Sequence, residues 1–587
     1  MQFGHLSEYF EKLEKTSSRL SLISILAELF KEVDSPDEIE KICYLVQGRI
    51  APFFEATEIG MADKTVAESI ARAYGSSKEE VLKHYAKKGD MGVVAQEFSK
   101  EQRAKSKELS VDEVFAVLTK IARTSGEGTV EKKLTMFADL LKKVDSLSSK
   151  FLVRIPLSNL RLGIGDPTVL DALSTVKLGD KKQRHYLEDA YNRTSDLGLI
   201  AKTLWSVKNP MHAVAAVEKL EVVVGKPIRS ELCERLPSPE KTIEKMGTVD
   251  SQFKYDGFRV QIHKNGEEIS LFSRNLENMT HMFPELIEGA KRQIKAHSAI
   301  VDSEALAYNP ESEEFLPFQE TTKRRRKHNI AETMAKLPLK AFVFDILYKN
   351  GKALIDEPLE KRLEILKETV ENDDTLFVAK TSKINDAKAL GLMLDDAISK
   401  GLEGIVVKKL NSPYIAGARN FNWVKLKRNQ SGELKDTVDC VILGYIFGKG
   451  KRTAFGAGAL LVGVYDKKQD IFVTVTKIGT GLTDEEWKSI KQRTKGLEVD
   501  HKPARVESLI TPSVWVKPEI VIEVLADEIT RSPIHTAGAV LKEGKVVEPG
   551  YALRFPRLVN FRDKDKKAED ATDTKELIEM YQEQGKK

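Results

Sequence analysis

Apolar residues recur every three or four positions along the first 215 residues, which is the spacing of one face of an α-helix. The segments YFEKLEKTSSRLSLISILAELFKEV and VDEVFAVLTKIART show this period most clearly. Helix boundaries agree with it, because Ser110 precedes the second segment as a candidate N-cap and Gly75 follows KTVAESIARAY as a candidate stop. We therefore predict an all-α domain over residues 1–215.

Near Val222 the period changes to two, which is the spacing of a half-buried β-strand. QFKYDGFRVQIH and EISLFSR flank Asn265-Gly266, a dipeptide typical of a tight hairpin turn. AFVFDILY, GLEGIVVKKL and NWVKLK continue the pattern, with helical segments such as EKRLEILKETV between them. We predict a mixed α+β domain over residues 216–428.

A third set of alternating segments follows the polar, turn-rich stretch at residues 429–436. VDCVILGYIFG, GALLVGVYD, IFVTVTKIG and EIVIEVLADEIT are short strands of the kind that form a small β-barrel. TKELIEMYQEQ predicts a short amphipathic helix near the C-terminus. Residues 429–587 are therefore predicted to be a β-barrel domain with a C-terminal helix.

The composition narrows the class of protein. Of the 587 residues, 41% are hydrophobic and 31% are charged, which excludes collagen-like, coiled-coil and mainly disordered proteins. No apolar run approaches the ~18 residues of a membrane span, and the N-terminus has no secretion signal. Cys43, Cys233 and Cys440 give neither a zinc-finger spacing nor a disulfide framework. We expect a cytoplasmic protein that does not contact a membrane.

The net charge of +4 makes the distribution of charge more informative than its total. The densest basic run spans residues 323–328 and reads KRRRKH. Such a run can bind the phosphates of a nucleic acid. From this run alone, a solvated helix face is an equal alternative.

Lys254-Tyr255-Asp256-Gly257 would be weak evidence by itself, because a strand with one buried salt bridge explains it at least as well. Further motifs follow it in one order within the same domain: Ser273-Arg274-Asn275, Val301-Asp302-Ser303-Glu304, Phe344-Asp345, Glu403-Gly404-Ile405-Val406-Val407-Lys408 and Trp423-Val424-Lys425-Leu426-Lys427. The ordered series resembles the motifs of the covalent nucleotidyltransferases, which comprise ATP-dependent DNA ligases, RNA ligases and mRNA capping enzymes.

The chemistry of this superfamily explains the residue types. A lysine amine attacks the α-phosphate of a nucleotide and expels pyrophosphate, which leaves a lysyl–AMP phosphoramide. At pH 7 only about one free lysine in a few thousand is neutral, so nearby cations or a metal must lower its pKa. Lys425 and Lys427 alternate along a strand and point to one face, where they can act on the nucleophile and screen the phosphate. The resemblance identifies Lys254 as the nucleophile.

The resemblance also implies roles for residues around the nucleophile. Glu304 and Glu403 supply hard oxygen ligands for Mg²⁺, for which Mn²⁺ can substitute, and Phe344 would stack on the base. Arg259 would bind the ribose or the α-phosphate, and Arg274 the 5′-phosphate of a nick. Taken singly, the glutamates could be salt-bridge partners and Phe344 a core residue. The complete set expected to bind nucleotide is Gln252, Arg259, Arg274, Glu304, Phe344, Lys425, Lys427 and Arg554.

The flanking domains narrow the resemblance to ATP-dependent DNA ligases of the archaeal and eukaryotic replicative type. Arg554-Phe555-Pro556-Arg557 and Arg562-Asp563-Lys564 are similar to the last motif of these ligases, which reaches the β- and γ-phosphates when their oligonucleotide-binding (OB) fold barrel closes. Leu160-Arg161-Leu162-Gly163 is similar to part of their helical DNA-binding domain, which RNA ligases and capping enzymes lack. The implied fold is multidomain: an all-α DNA-binding domain, an α+β adenylation domain and an OB-fold β-barrel.

The same resemblance implies contacts with DNA. Phe318 would abut the sugar at the nick, although core packing is an equal alternative, and the basic run after it would lie on phosphates. The residues expected to contact DNA are Arg274, Phe318, Arg324, Arg325, Arg326, Lys449, Lys451 and Arg452.

The implied activity is the sealing of 5′-phosphate/3′-hydroxyl nicks in duplex DNA during replication, repair and recombination, and thus in cell division. The steps are self-adenylation, AMP transfer to the 5′-phosphate, and attack by the 3′-hydroxyl. We expect a nucleoid-associated monomer. Two alternatives stay open: an RNA ligase or capping-type enzyme, and a non-catalytic DNA clamp that keeps the fold.

Two segments depart from the family pattern. Gln252 stands where these ligases usually have Glu. Since an amide can both accept and donate, we hypothesise that another nucleotide, such as GTP, can serve as a donor to some extent. Recognition of adenine alone by Gln252 is an alternative that the sequence supports at least as well. A segment that docks on the sliding clamp in related proteins corresponds to Gln102–Glu108, which has lysines where aromatic anchors are expected. Binding to a sliding clamp through this segment is therefore doubtful.

Overall fold

The structure is a computed structural model, and every statement below refers to the residues that it describes. These are residues 1–101, 108–309, 314–316, 318–325, 329–400, 402–427, 436–447, 457–479, 482–526, 528–542, 545–554, 556–563 and 565–583. Several predicted features lie outside the described residues: most of the clamp-docking segment, most of the polar stretch before the third domain, Arg326, Lys449, Lys451, Arg452, Lys564 and the side chain of Phe318.

The described residues form two compact units. The first comprises Met1–Ser230 together with the short segment Phe272–Asn278, and the second comprises Glu231–Leu271 and Met279–Lys587. The first unit extends beyond the boundary predicted at residue 215, because the helix Pro210–Glu218 crosses that position and buries Ala213 and Val217 in the helical core.

The first unit is helical. Its helices are α1 (Phe3–Glu14), α2 (Arg19–Lys31), α3 (Pro36–Leu45), α4 (Asp63–Tyr74), α5 (Lys78–Lys88), α6 (Met91–Glu101), α7 (Val111–Arg123), α8 (Thr129–Leu141), α9 (Ser146–Arg154), α10 (Asp166–Lys177), α11 (Arg184–Thr194), α12 (Leu197–Ser206) and α13 (Pro210–Glu218). Both predicted helix boundaries are confirmed: Ser110 forms a capping box with Glu113, and Gly75 ends α4 in the left-handed conformation.

The second unit begins with an α+β part. Its helices are α14 (Pro239–Met246), α15 (Pro284–Gln293), α16 (Phe318–Thr322), α17 (Ile330–Lys336), α18 (Leu359–Thr369) and α19 (Ala387–Ser399). Its strands are β1 (Leu232–Arg235), β2 (Val249–Lys254), β3 (Phe258–Asn265), β4 (Glu268–Ser273), β5 (Ser298–Asn309), β6 (Glu314–Phe315), β7 (Leu339–Lys349), β8 (Lys352–Ala353), β9 (Leu376–Val378), β10 (Thr381–Ile384), β11 (Gly404–Lys409) and β12 (Arg419–Leu426).

These strands form two sheets. The first has the order β1-β12-β11-β2-β10, and the second has the order β4-β3-β5-β7-β8, with β6 beside β5 and β9 beside β7. Each sheet buries one face against helices: Val249, Ile405 and Val424 pack with residues of α14 and α19, whereas Val260 and Val301 pack with residues of α15 and α18. Because strand side chains alternate, the remaining faces carry the intervening residues, and these hold the predicted chemistry.

The C-terminal part of the second unit is rich in β-structure. Its elements are β13 (Val438–Ile446), β14 (Ala459–Asp466), β15 (Ile471–Ile478), α20 (Asp484–Thr494), β16 (Glu498–Val499), β17 (Val506–Glu507), β18 (Val514–Val516), β19 (Val521–Leu525), β20 (Glu528–Ser532), β21 (Val540–Lys542), β22 (Lys545–Glu548), β23 (Gly550–Arg554), β24 (Arg557–Phe561) and α21 (Thr574–Glu583). Strand β13 pairs with β14 on one edge and with β18 and β19 on the other, and bulges curl the sheet.

The helical, α+β and β-rich regions follow one another in the predicted order, which confirms the predicted fold class. Within the described part of the chain, no helix has the length and apolar character needed to span a bilayer.

Candidate active site

One face of the first sheet carries the predicted nucleophile. Strands β2 and β11 are antiparallel, with Lys254 opposite Gly404 and Gln252 opposite Val406. Strand β12 places Lys425 opposite the same valine. Because these residues are separated by two positions along their strands, their side chains share a face. Sequence spacing alone could not show that the three strands are neighbours.

Lys254 lies beside a carboxylate that it shares with a second lysine. Lys254 and Lys427 each form an ion pair with Glu403, one with each carboxylate oxygen. The backbone N–H of Glu403 donates to the carbonyl of Lys254 at 3.1 Å, which fixes the start of β11 against the end of β2. The side chains of Lys254 and Glu403 are 23% and 27% exposed, so both are accessible to a ligand.

The second sheet presents an arginine held by a buried carboxylate. Arg259 stands opposite Glu304 and donates two parallel hydrogen bonds to Asp302, one of them from Nε to Oδ1 at 3.1 Å. Its Nη1 donates to the carbonyl of Glu231 at 2.9 Å, and the hydroxyl of Tyr414 donates to Asp302 at 2.9 Å. Burial opposes the charge, but the Asp302 carboxylate keeps the pKa of Arg259 above its ordinary value.

Two aromatic rings and a buried lysine connect the faces of the two sheets. Phe344, on the second sheet, meets Trp423, on the first, edge to face with ring centroids 6.0 Å apart. Nζ of Lys408 lies 4.0 Å from the Trp423 centroid and donates to the Phe344 carbonyl at 3.1 Å. The guanidinium of Arg259 lies 5.2 Å from the Phe344 centroid. The structure therefore brings Phe344 beside Arg259, in the cleft between the two sheets.

Burial and neighbouring charges shift the pKa values of the charged side chains in the cleft. Burial raises the pKa of Glu304 to about 7, while Lys254 and Arg259 act in the opposite direction. Burial lowers the pKa of Lys427, and the nearby charge of Lys254 adds to that effect. Burial also lowers the pKa of Lys425, with a smaller contribution from Lys254. The two lysines predicted to lie near Lys254 are thus close enough to repel it.

Glu304 lies near Lys254, and both oxygens of Glu403 pair with lysines, so a divalent cation that binds both carboxylates must displace Lys254 and Lys427 from Glu403. Their carboxylate oxygens fit Mg²⁺, which is usually bound by one or two carboxylates together with substrate phosphates and water. Among the described residues, no group of three or more His, Cys, Asp or Glu side chains could hold a metal ion.

Two glycines permit close backbone packing around the site. Gly404 has a φ of +142°, and a Cβ there would lie 2.2 Å from the carbonyl oxygen of Leu426. A Cβ at Gly257 would lie 2.3 Å from the carbonyl oxygen of Ala305. The glycine of the Lys254-Tyr255-Asp256-Gly257 motif is therefore required by the contact between its turn and β5.

The arginines of the predicted closing motif have different surroundings. Arg554 pairs with Glu528 at 2.7 Å, and its Nη2 lies 3.5 Å from the carbonyl oxygen of Leu402, the residue before Glu403. Arg557 is exposed on β24. The described part of the closing motif thus reaches the α+β part through Arg554.

Arg562 and Asp563 form ion pairs within the C-terminal part. Arg562 pairs with Asp565 at 2.8 Å and lies 3.9 Å from Asp439, and Asp563 pairs with Arg493. In this structure the two residues stabilise the region in which they lie. Their action on the β- and γ-phosphates stays a prediction.

The arginines predicted to contact DNA differ in exposure. Arg274 lies in an exposed turn directly after β4, and Arg325 is exposed. Arg324 does not fit the prediction, because it is 1% exposed, pairs with Glu285 and lies 5.7 Å from the centroid of Phe283. The turn after α16 directs this side chain inward, where the glutamate compensates its charge. A basic run in the sequence does not reveal which of its cations face the interior.

Two residues that hold Arg259 were not singled out from the sequence. Asp302 could have been found by alternation, because it lies two residues before Glu304 and therefore on the same face of β5. Tyr414 lies in the loop between β11 and β12, and no periodicity marks a loop residue.

Three family models match consecutive parts of the chain. They are "DNA ligase N terminus" at residues 2–174, "ATP dependent DNA ligase domain" at residues 230–427 and "ATP dependent DNA ligase C terminal region" at residues 453–566. The second of these contains all the cleft residues described above.

Curated relatives match the chain over its whole length. A "Probable DNA ligase" of Dictyoglomus turgidum is 47% identical over 100% of this chain and 98% of its own. "DNA ligase 2" of Thermofilum pendens is 40% identical over 100% and 98%. A "DNA ligase" of Sulfolobus acidocaldarius is 39% identical over 100% and 99%. The chain therefore belongs to the ATP-dependent DNA ligase family.

Proposed function

We propose that Lys254 carries AMP as a covalent intermediate in nick sealing, the reaction general to this family. The observation that supports the proposal is the arrangement of Lys254, Glu403 and Lys427, in which an accessible lysine amine is held by a carboxylate beside a second cation. Because its amine is already accessible, Lys254 can leave Glu403 and approach a phosphate without first moving out of the protein interior.

In the first step the Lys254 amine attacks the α-phosphorus of ATP. The bond from that phosphorus to the bridging oxygen breaks, pyrophosphate leaves with the electron pair, an N–P bond forms, and the nitrogen releases one proton to water. Lys425 and Lys427 face the same cleft and would screen the charge that develops on the α-phosphate. Glu304 and Glu403 would hold Mg²⁺, which neutralises charge on phosphate oxygens when it is bound.

In the later steps AMP passes from Lys254 to the 5′-phosphate of the nick, and the 3′-hydroxyl then displaces AMP. Arg274 is exposed and suited to bind the 5′-phosphate as a bidentate donor. Arg259, held rigidly by Asp302, would orient the nucleotide opposite Lys254. The reaction releases AMP and restores the free lysine.

The proposal is tested by incubating the protein with α-labelled ATP and Mg²⁺, followed by denaturing electrophoresis. We expect a labelled band for the native protein, none for Lys254→Ala, and an undiminished band for Lys241→Ala, a lysine on the exposed side of α14. Pretreatment with pyrophosphate removes any AMP acquired during expression. A native protein that stays unlabelled after this treatment, or a labelled Lys254→Ala protein, would show that Lys254 is not the nucleophile.

The same labelling assay tests whether the reaction requires a divalent metal ion. Chelation of divalent cations should abolish labelling, and addition of Mg²⁺ or Mn²⁺ should restore it. Undiminished labelling in excess chelator would remove the proposed role of Glu304 and Glu403.

We also propose that Gln252 contacts the nucleobase and that GTP can replace ATP to a limited extent. Gln252 supports this because it shares the strand face of Lys254 and is 2% exposed, and because its amide can turn either its oxygen or its nitrogen toward a base. We expect labelled GTP to label the native protein weakly. The Gln252→Glu protein should be labelled by ATP and not by GTP. If neither protein is labelled by GTP, the donor range is restricted to ATP.

A further inference from the structure

A buried carboxyl lies behind the proposed base-contacting residue. Asp250 precedes Gln252 by two positions on β2, so Asp250, Gln252 and Lys254 form one row of side chains on the face of the cleft. Asp250 is 3% exposed and Gln252 is 2% exposed. Lys254, at the end of the row, is the part most accessible to a ligand. A nucleotide bonded to Lys254 would therefore meet Gln252 before Asp250.

Asp250 and Gln252 each bury a polar side-chain atom that lacks a hydrogen bond among the described residues. Nε2 of Gln252 and Oδ2 of Asp250 are both buried, and neither forms a hydrogen bond of ordinary geometry with any residue that the structure describes. The Gln252 amide nevertheless lies close enough to the Asp250 carboxyl to help lower the pKa of that carboxyl. An amide lowers the pKa of a neighbouring carboxyl when its N–H, and not its oxygen, is turned toward that carboxyl. A buried amide donor with no full partner is costly, so the carboxylate favours this orientation.

The groups that face Asp250 come from four elements. Lys408 on β11 stands opposite it in register, and Lys383 stands opposite it on β10 but pairs with Glu360. Burial raises the pKa of Asp250 to about 6, while Lys408 and then Lys367 on α18 act against this and Asp345 on β7 acts with it.

We propose that Asp250 is a positioning residue that sets the orientation of the Gln252 amide and thereby the choice of nucleobase in the nucleotide donor. With Asp250 ionised, Nε2 of Gln252 faces Asp250 and Oε1 faces the base. An oxygen there accepts from the exocyclic amino group of adenine and is repelled by the 6-oxo group of guanine. This inference rests on the proposed binding of the nucleotide at Lys254.

A neutral side chain at position 250 no longer holds the Gln252 amide in this orientation. A protonated carboxyl or an asparagine can donate to Oε1 of Gln252, which turns Nε2 toward the base, where it can donate to the oxygen of guanine. The proposal therefore links the two donors to one amide with two orientations. It also separates Asp250, which acts through Gln252, from the residues that contact the nucleotide.

The test compares initial rates of covalent labelling with α-labelled ATP and α-labelled GTP at pH 7.5. For Asp250→Asn we expect the ratio of the ATP rate to the GTP rate to fall about tenfold relative to the native protein, the effect of one hydrogen bond gained or lost. In the double variant Asp250→Asn, Gln252→Glu, the ratio should return to the native value or above, because a carboxylate accepts with either oxygen. Ser251→Ala alters the neighbouring residue on the opposite face of β2 and should leave the ratio unchanged.

A second measurement needs no substitution. As the pH is lowered from 7.5 to 5.5, the ratio in the native protein should fall in favour of GTP, because the Asp250 carboxyl gains its proton near pH 6. The ionisation of Lys254 affects both donors equally and cancels in the ratio. In the Gln252→Glu, Asp250→Asn protein the ratio should stay constant over this range.

The outcomes separate this inference from the proposed function. If the native protein forms no lysyl–nucleotide with ATP, the proposed function itself fails. If ATP labels Lys254 but the ratio is the same in Asp250→Asn and at pH 5.5, the inference is overturned and the nucleophile stands. If Asp250→Asn does not fold, the pH series on the native protein still decides the matter.

Discussion

At the scale of single residues, Arg259 contributes both a positive charge and a fixed arrangement of hydrogen-bond donors. Its planar guanidinium makes two parallel hydrogen bonds with Asp302, which is fully buried, and a third with a backbone carbonyl. A lysine could supply the charge but only one point of contact. The two parallel hydrogen bonds to the buried carboxylate would then be lost, and the Tyr414 hydroxyl alone would hold Oδ2 in place.

We therefore expect Arg259→Lys to lower the free energy of unfolding by about 2–4 kcal/mol. The rate of lysyl–AMP formation should fall at least about tenfold, because the cleft loses a fixed donor. Chemical denaturation and ATP labelling measure the two effects. Arg292→Lys is the control, since Arg292 pairs with Asp374 at a half-exposed position and should change neither quantity. Equal behaviour of the two variants would show that only the charge of Arg259 matters.

Glu231 gives a second prediction at the residue scale. It is fully buried, and burial raises its pKa to about 8, although the Ile415 N–H donates to it at 3.0 Å and acts in the other direction. In the unfolded chain the same carboxyl loses its proton near pH 4.3. Between these values the folded protein holds a proton that the unfolded chain has released. The free energy of unfolding therefore decreases as the pH rises.

Glu231→Gln removes this titration while keeping the shape of the protonated side chain. We expect native and variant proteins to have similar stability at pH 5, and the variant to be more stable by about 2 kcal/mol or more at pH 8. Denaturation at pH 5, 6.5 and 8 tests this. Parallel stability profiles for the two proteins would mean that Glu231 is ionised in the folded state at pH 8.

At the scale of elements, the start of β11 at Gly404 brings Glu403 to Lys254, the proposed nucleophile. Gly404 lies opposite Lys254, directly after Glu403, and its backbone approaches Leu426 too closely for a side chain. Gly351 also has a positive φ, +90°, but a Cβ there would meet nothing within 4 Å. Alanine at position 351 would therefore cause backbone strain alone, whereas alanine at position 404 would cause strain and a steric clash.

Gly404→Ala should cost about 3 kcal/mol or more, because strain and collision add, whereas Gly351→Ala should cost about 1 kcal/mol from strain alone. Since β11 must move to relieve the collision, Gly404→Ala should also slow lysyl–AMP formation, and Gly351→Ala should not. Stability and labelling are measured on both proteins. Equal costs would indicate that the β11–β12 contact relaxes freely.

At the scale of the whole molecule, the cleft residues lie in one compact unit. Lys254, Glu304, Glu403 and Lys427 all fall within the second unit, whereas the predicted helical DNA-binding domain lies within the first. Covalent reaction with ATP and binding of the nick should therefore be separable.

A fragment of residues 231–587 should form lysyl–AMP from ATP but bind nicked duplex much more weakly than the full chain, because it lacks the helical domain. Labelling and a gel-shift titration at fixed salt concentration measure the two activities. The same fragment with Lys254→Ala controls for non-specific label. A folded fragment that binds the nick as tightly as the full chain would assign DNA binding to the second unit.

The sequence by itself determined the order of helical, α+β and β-rich regions, because apolar periods of 3.6 and 2 are local properties of the chain. It also marked Lys254, Glu304, Glu403, Lys425 and Lys427 as candidates, since their order along the chain carries the resemblance. Caps such as Ser110 were predictable for the same reason, as their partner lies three residues away.

Tertiary structure alone decided which of these residues meet. The pairing of β2 with β11 brings Lys254 to Glu403, and the facing sheets bring Phe344 to Trp423. It also turned Arg324 inward to Glu285 and placed Tyr414, a loop residue, against Asp302. These contacts join positions far apart in sequence, so they depend on strand order, register and burial, none of which a local pattern contains.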